Sequence, residues 1–242
     1  MKSRLFYFLA LVIFLSACGN KKSQVNKKGV ESDKIQVFSA VLDEYGKLMP
    51  RCKNIVKIDV KDFNIEDALV YIDNDEGDAL IQNQGIVLIP YNPGKDINLI
   101  VSFEDKGGSK KIGVSEKIPA PVLKVFDKTS MAEFGSEIER IIPAIVKISA
   151  DEKFAKLFPE DAQYFFKSYE IILKNQNGAV IKNQKVEDYE SDVIDLSDIQ
   201  KIAVQNSTLE IIFTKVVRKD FEGNLTDVDL NENSRILKLT IK

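Results

Sequence analysis

Apolar residues occupy every second position in one short run of this chain after another, and that period commits it to β-strands. Residues 53–60 set Val56, Ile58 and Val60 on one face and Ile55, Lys57 and Asp59 on the other, the pattern of a strand with one side buried. Runs at 35–41, 68–72, 86–89 and 97–103 are similarly rich in β-branched and aromatic residues. Turn-forming stretches separate them: the acidic 73–78, Asn92-Pro93-Gly94 and Gly107-Gly108. Short strands punctuated at such intervals argue for a β-sandwich over residues 34–117, with no helical period of useful length among them.

Ile118-Pro119-Ala120-Pro121 then holds the chain extended, because each proline fixes its own φ and turns the preceding residue away from helix. Residues 118–121 therefore read as a proline-rich hinge, and 122–242 as a second β-rich domain. Its opening Ser130-Met131-Ala132-Glu133 has the spacing of a capping box ahead of a short helix, and Ser197-Asp198-Ile199-Gln200 repeats that spacing for a helix over 199–203. Strands are expected at 144–149, 209–217 and 235–241, the last with Leu237, Leu239 and Ile241 inward. A hairpin is expected between 165–173 and 179–181, with Asn177-Gly178 supplying the positive φ angles of its turn. The fold class is mainly β, with one or two short helices.

The N-terminus carries an address. Lys2 and Arg4 precede the apolar run 5–15, which ends in Leu15-Ser16-Ala17-Cys18. That run is about eleven residues long, against the roughly twenty that a spanning helix needs. A basic start, a short oily stretch and small residues before a cysteine read as a lipoprotein signal peptide over 1–17. Cys18 is then the lipidated, palmitate-bearing first residue of the mature protein. Residues 18–33 are polar and lysine-rich and cannot bury enough surface to fold, so they read as a flexible tether. The lysines argue for a periplasm-facing position, and Gly19, where an aspartate would favour inner-membrane retention, points to the outer membrane.

Chemistry is harder to place. The chain has no histidine, which removes the commonest general base, the Ser-His and Cys-His pairs and the commonest transition-metal ligand. With Cys18 acylated, Cys52 is the only thiol left, so no intramolecular disulfide forms. Arg51 and Lys53 flank Cys52, but without a base it reads as a partly buried, inert thiol. Residues 73–78 resemble a calcium loop, yet glycine stands fifth where an EF-hand needs it sixth; they read as a solvated turn. No phosphate loop, zinc-spaced cysteines or dinucleotide fingerprint appears. The 34 basic and 37 acidic residues give a mildly acidic chain, and Lys2 and Arg4 leave with the leader; nothing suggests a nucleic-acid binder. No catalytic residue, metal or cofactor is expected.

Two features suit a docking surface. Phe165 and Phe166 are neighbours on a strand and so face opposite ways, which leaves one of them for a contact. Glu187, Asp188, Tyr189, Glu190 and Asp192 form the densest acidic stretch, either a solvated face or an attraction for a basic partner.

The order of motifs resembles the C-terminal region of the GldM family of gliding-motility proteins, whose type IX secretion counterpart is PorM. The resemblance is carried by residues 54–60, Tyr91-Asn92-Pro93-Gly94-Lys95, Ile118-Pro119-Ala120-Pro121, residues 165–169, Asn177-Gly178 and Ser234-Arg235-Ile236-Leu237, and covers roughly residues 34–242. It implies an immunoglobulin-like β-sandwich followed by a second, family-specific β domain, acting by protein–protein contact within the envelope. Full-length members of that family begin with a transmembrane helix and further periplasmic domains, whereas this sequence opens on a lipid anchor. The expectation is a non-catalytic, lipid-anchored scaffold or adaptor, accessory to gliding motility or type IX secretion, with a homodimer left open. A surface glycan-binding lipoprotein is the alternative, weakened by the absence of tryptophan.

Overall fold

The computed structural model describes residues 32–242 apart from 83, 84 and 105; the leader, Cys18 and nearly all of the tether lie outside the described residues. The first unit holds β1 (Ile35–Phe38), α1 (Ala40–Tyr45), β2 (Asn54–Val60), β3 (Leu69–Ile72), β4 (Gly77–Gln82), β5 (Gly85–Pro90), β6 (Ile97–Ser102) and β7 (Gly107–Ile112). One sheet runs β1-β2-β5-β4 and the other β3-β6-β7, all antiparallel. With β1 as strand A, these are the ABED and CFG sheets of a constant-type immunoglobulin sandwich. Val56 and Ile58 of β2 and Leu99 and Val101 of β6 fill the centre. Beyond α1 the chain crosses to the other sheet, where Leu48 makes a parallel bridge to Val114.

The alternation read in residues 53–60 holds: Val56, Ile58 and Val60 are buried and Ile55, Lys57 and Asp59 exposed. Three elements depart from expectation. Residues 35–41 are a strand only as far as Phe38, because Ser39 caps α1 by accepting a hydrogen bond from the Val41 amide at 3.2 Å. Strand β4 is amphipathic only weakly, and β7 begins at the Gly107-Gly108 pair read as a turn. Gly77 is needed where it stands, since a Cβ there would lie 2.7 Å from the Ile89 carbonyl oxygen across the β4–β5 pair.

The second unit contains β8 (Val122–Asp127), β9 (Glu133–Phe134), β10 (Glu137–Ile138), β11 (Ala144–Ser149), α2 (Glu152–Leu157), β12 (Gln163–Lys174), β13 (Val180–Val186), β14 (Val193–Asp195), α3 (Ser197–Ile202), β15 (Ser207–Lys219), β16 (Leu225–Asp227) and β17 (Ile236–Ile241). A sheet ordered β10-β17-β15-β12-β13, with β16 on β15, faces a second sheet ordered β14-β11-β8-β9. Val146 and Ile148 from one sheet meet Ile171, Leu173, Leu209 and Ile211 from the other in a shared core.

Ser130–Glu133 does not start a helix. Asp127 accepts from the Thr129 amide and the Ser130 hydroxyl, closing a turn that returns the chain to pair β9 with β8. Ser197–Gln200 does open one, α3, but not as a capping box. Asp195 accepts from the Ser197 amide at 2.9 Å, and the buried Gln200 side chain turns away to clamp residues 139–144. Its Nε2 donates to the carbonyls of Glu139 and Ile142 and its Oε1 accepts from the Ala144 amide, all at 2.8 Å. In the β12–β13 hairpin only Gly178 takes positive φ, at 81°. The Gly178 amide donates to the Asn175 carbonyl, and the register slips at Leu173/Lys174. That is a turn followed by a left-handed bulge residue, and β13 runs on to Val186.

Candidate interaction surfaces and a buried junction

A bulge in β12 determines what the second unit offers the first. Tyr164 and Phe166 are buried, then Tyr169, Ile171 and Leu173; the parity changes because the pairing with β15 slips around Ser168. An extra residue flips every later side chain to the other face. The slip lets both stretches point inward and carries Arg218 of β15, paired in register with Tyr164, into the space between the two units.

The first unit fills that space. Val41, Met49 and Cys52 belong to the second unit's core, while Leu42, the next residue on α1, packs into the first. Asn54 shapes the loop that presents them: its Nδ2 donates to the carbonyls of Met49, Cys52 and Leu88, and its Oδ1 accepts from the Met49 amide at 2.7 Å. Arg218 is 3 % and Asp161 1 % exposed. The guanidinium Nη1 donates to the Asp161 carbonyl at 3.1 Å and reaches its carboxylate and the Cys52 sulfur at 3.5 and 3.6 Å. Asp161 also accepts from the Phe221 amide at 3.1 Å and from the Lys53 amide at 3.5 Å. Burial pushes the Asp161 carboxyl up, against the pull of Phe221 and Arg218.

At the rim, Lys53 pairs with Glu160 at 2.7 Å and lies 4.7 Å above the Phe221 ring, and Lys153 pairs with Glu44. Residues 118–121, expected to hinge, are packed: Ile118 lies on the second core, Pro121 is buried and Pro119 accepts from the Tyr164 hydroxyl. Cys52 is fully buried rather than partly so. Burial, with the Asp161 charge, pushes its pKa up to about 12 despite Arg218, so it stays a thiol.

The sequence-based contact residues fare unevenly. Phe166 is core, stacked on Phe213 with centroids 5.2 Å apart, and Phe165 is half-buried. Tyr189 is half-buried: its ring meets Tyr169 edge-on and its hydroxyl donates to the Val193 carbonyl at 2.7 Å. Glu190 pairs with Lys167, and Asp192 lies 3.9 Å from Lys147. Glu187 and Asp188 are exposed. Two of the four carboxylates of the acidic stretch, Glu190 and Asp192, thus have lysines of this same unit beside them. Asp73 accepts from Asn98, and Glu76 from Asn92 and Lys95, so two of the four carboxylates of the calcium-like loop are bonded to its neighbours. Of the tyrosines at 45, 71, 91, 164 and 189, only Tyr71 and Tyr91 are exposed, one on β3 and one after β5.

The structure reveals surfaces the sequence did not single out. On the outer face of the β1-β2-β5-β4 sheet Ile55, Val87 and Leu80 stand in one register row across three strands, with Ile55 and Leu80 exposed and Val87 buried between them. Strand β13 lies at a sheet edge with most of its side chains exposed, Val180 and Ile181 among them. The alternating pattern of 53–60 contained the first signal, since Ile55 falls on the face otherwise occupied by Lys57 and Asp59.

No family model matches the chain, and no curated protein matches it. Among solved structures, it is similar to a biofilm-associated protein described by its BSP domain, at 12% identity and a TM-score of 0.25, over 88% of this chain. It is also similar to a gamma-CGTase from alkalophilic Bacillus clarkii, at 15% identity and a TM-score of 0.22, over 80% of this chain and 25% of that one. A titin A168–A169 fragment shares 10% identity at a TM-score of 0.21, over 81% of this chain and 94% of the fragment. The chain spans about 30% of the length of the biofilm-associated chain.

Proposed function

We propose that this chain is a lipid-anchored protein of the outer membrane, facing the periplasm, that works by protein–protein contact as a non-catalytic scaffold or adaptor. Its setting in this reading is the gliding-motility or type IX secretion machinery. The junction supports it best. Val41, Met49 and Cys52 are built into the second unit's core, and Arg218 and Asp161 are sealed between the units, so two sandwiches offer their outer surfaces at one fixed angle. A body of that kind suits holding partners in register. The lipobox at Leu15–Cys18 supplies the attachment.

The test is made in the native cells. Palmitate should label the wild type, which should float with outer-membrane vesicles, while Cys18→Ser should be unlabelled and released. Crosslinking in intact cells followed by affinity capture should recover envelope components of the motility or secretion machinery. A Cys18→Ser chain that floats as before, with no label on the wild type, refutes the anchor; capture without any such component refutes the assignment to that machinery.

A further inference from the structure

We propose that the outer face of the β1–β2 end of the first sandwich rests on the bilayer, taking an anionic lipid surface as its ligand. The inference rests on the anchor reading and adds what the domain does once tethered. Phe38 is 51 % exposed and Ile55 and Leu80 46 % each, on one sheet face. Phe38 stands opposite Lys57 in the β1–β2 pair, which sets the ring diagonally beside Ile55; across the sheet the register row passes Val87, which is buried between its neighbours at 2 % exposure, and reaches the exposed Leu80. Lys57 forms no ion pair among the described residues. Lys61 and Lys34 line a shallow depression beside it with Gln36 and Asp59. Apolar side chains level with lysines are what an interface between headgroups and acyl chains accepts.

Where the chain enters argues for this occupant over a protein. The turn Ser32–Lys34 leads directly into β1, the edge strand of this sheet. The stretch back to Cys18 can reach at most roughly 50 Å. An anchored Cys18 therefore keeps this face, before any other large surface of the molecule, close to the headgroups. Acyl chains retain the protein; the face sets which way it stands.

The chain contains no tryptophan, so Phe38→Trp gives a single reporter. Val180→Trp gives another at the β13 hairpin, at the far end of β12 from the junction. Each mature, non-acylated chain is coupled through Cys18 to maleimide lipid in phosphatidylethanolamine–phosphatidylglycerol vesicles. Cys52, fully buried, does not compete. Brominated acyl chains should quench the indole of Phe38→Trp strongly and that of Val180→Trp little. Lys57→Glu with Lys61→Glu should cut the contact by about fivefold per lysine while the amount of coupled protein stays constant. Quenching of Phe38→Trp that is no stronger than that of Val180→Trp overturns the inference, and so does quenching indifferent to the lysine reversals. Because coupling bypasses acylation, these outcomes are independent of the palmitate result. Strong quenching of Phe38→Trp beside a negative palmitate label refutes the anchor alone.

Discussion

Asp161→Asn and Arg218→Met break the same buried pair from opposite sides, and the structure predicts unequal costs. Asparagine keeps an oxygen for the Phe221 amide but leaves a guanidinium with nowhere to shed its charge. Breaking a buried pair in this way costs about 3–5 kcal/mol. For a domain of this size that is a fall in Tm of roughly 6–20 °C. Methionine instead leaves a carboxyl whose pKa burial already raises, and which can take up a proton to become neutral.

The sign follows from that direction. A group whose folded-state pKa is raised contributes stability fully present below its unfolded pKa and lost as pH rises through the folded one. Arg218→Met should therefore recover stability between neutral pH and about pH 4, while Asp161→Asn should not. Urea unfolding followed by far-ultraviolet circular dichroism measures both, and the labelling rate of Cys52 by a thiol reagent in native buffer reports opening of the junction. A loss under about 1 kcal/mol for Asp161→Asn, the range of an exposed pair, would refute the reasoning, as would an Arg218→Met defect that deepens on acidification.

Gln200→Leu leaves the buried Ala144 amide without its acceptor and frees the half-buried Ile142 and solvent-side Glu139 carbonyls, which water can reach; it should cost about 1–3 kcal/mol by thermal unfolding, the range for one buried group left unpaired. The Tyr45 hydroxyl is buried without a hydrogen-bond partner among the described residues, so Tyr45→Phe should be neutral or raise the melting temperature slightly, and a clear destabilisation would show that the hydroxyl is bonded. Asp195 loses some carboxylate character to desolvation, but its bonds from Lys128 and Ser197 outweigh this and pull its pKa to about 2. Its contribution is thus present above pH 4 and lost as pH falls towards 2. Asp195→Asn should flatten that acid limb by a fraction of a kcal/mol, since the pair is half exposed and screened.

What the sequence disclosed was the part carried by local period. The faces of β2, the inward residues of β12 and β17 and the hairpin at Gly178 follow from alternation and turn chemistry, and the mainly β fold follows from them. Strands β4 and β7 were hidden because their packing partners, not their own composition, make them strands. Helices α1 and α2 are too short to display a period, and their signals were the single capping residues Ser39 and Asp151. The junction was illegible for a different reason: Cys52, Asp161 and Arg218 are far apart in the chain, and the parity of β12 and β15 changes where their register shifts on either side of Ser168. Gln200 shows the same limit, since its spacing fitted a cap while its side chain serves a distant loop.

The shared core between the sandwiches has a consequence for whatever docks on them. A ligand that touches both units at once does not have to freeze a swivel between them, so the entropy of aligning its second footprint has been met during folding. Each footprint can then be small and individually weak while the pair together holds firmly, because the second contact forms at the high effective concentration set by a stiff spacer.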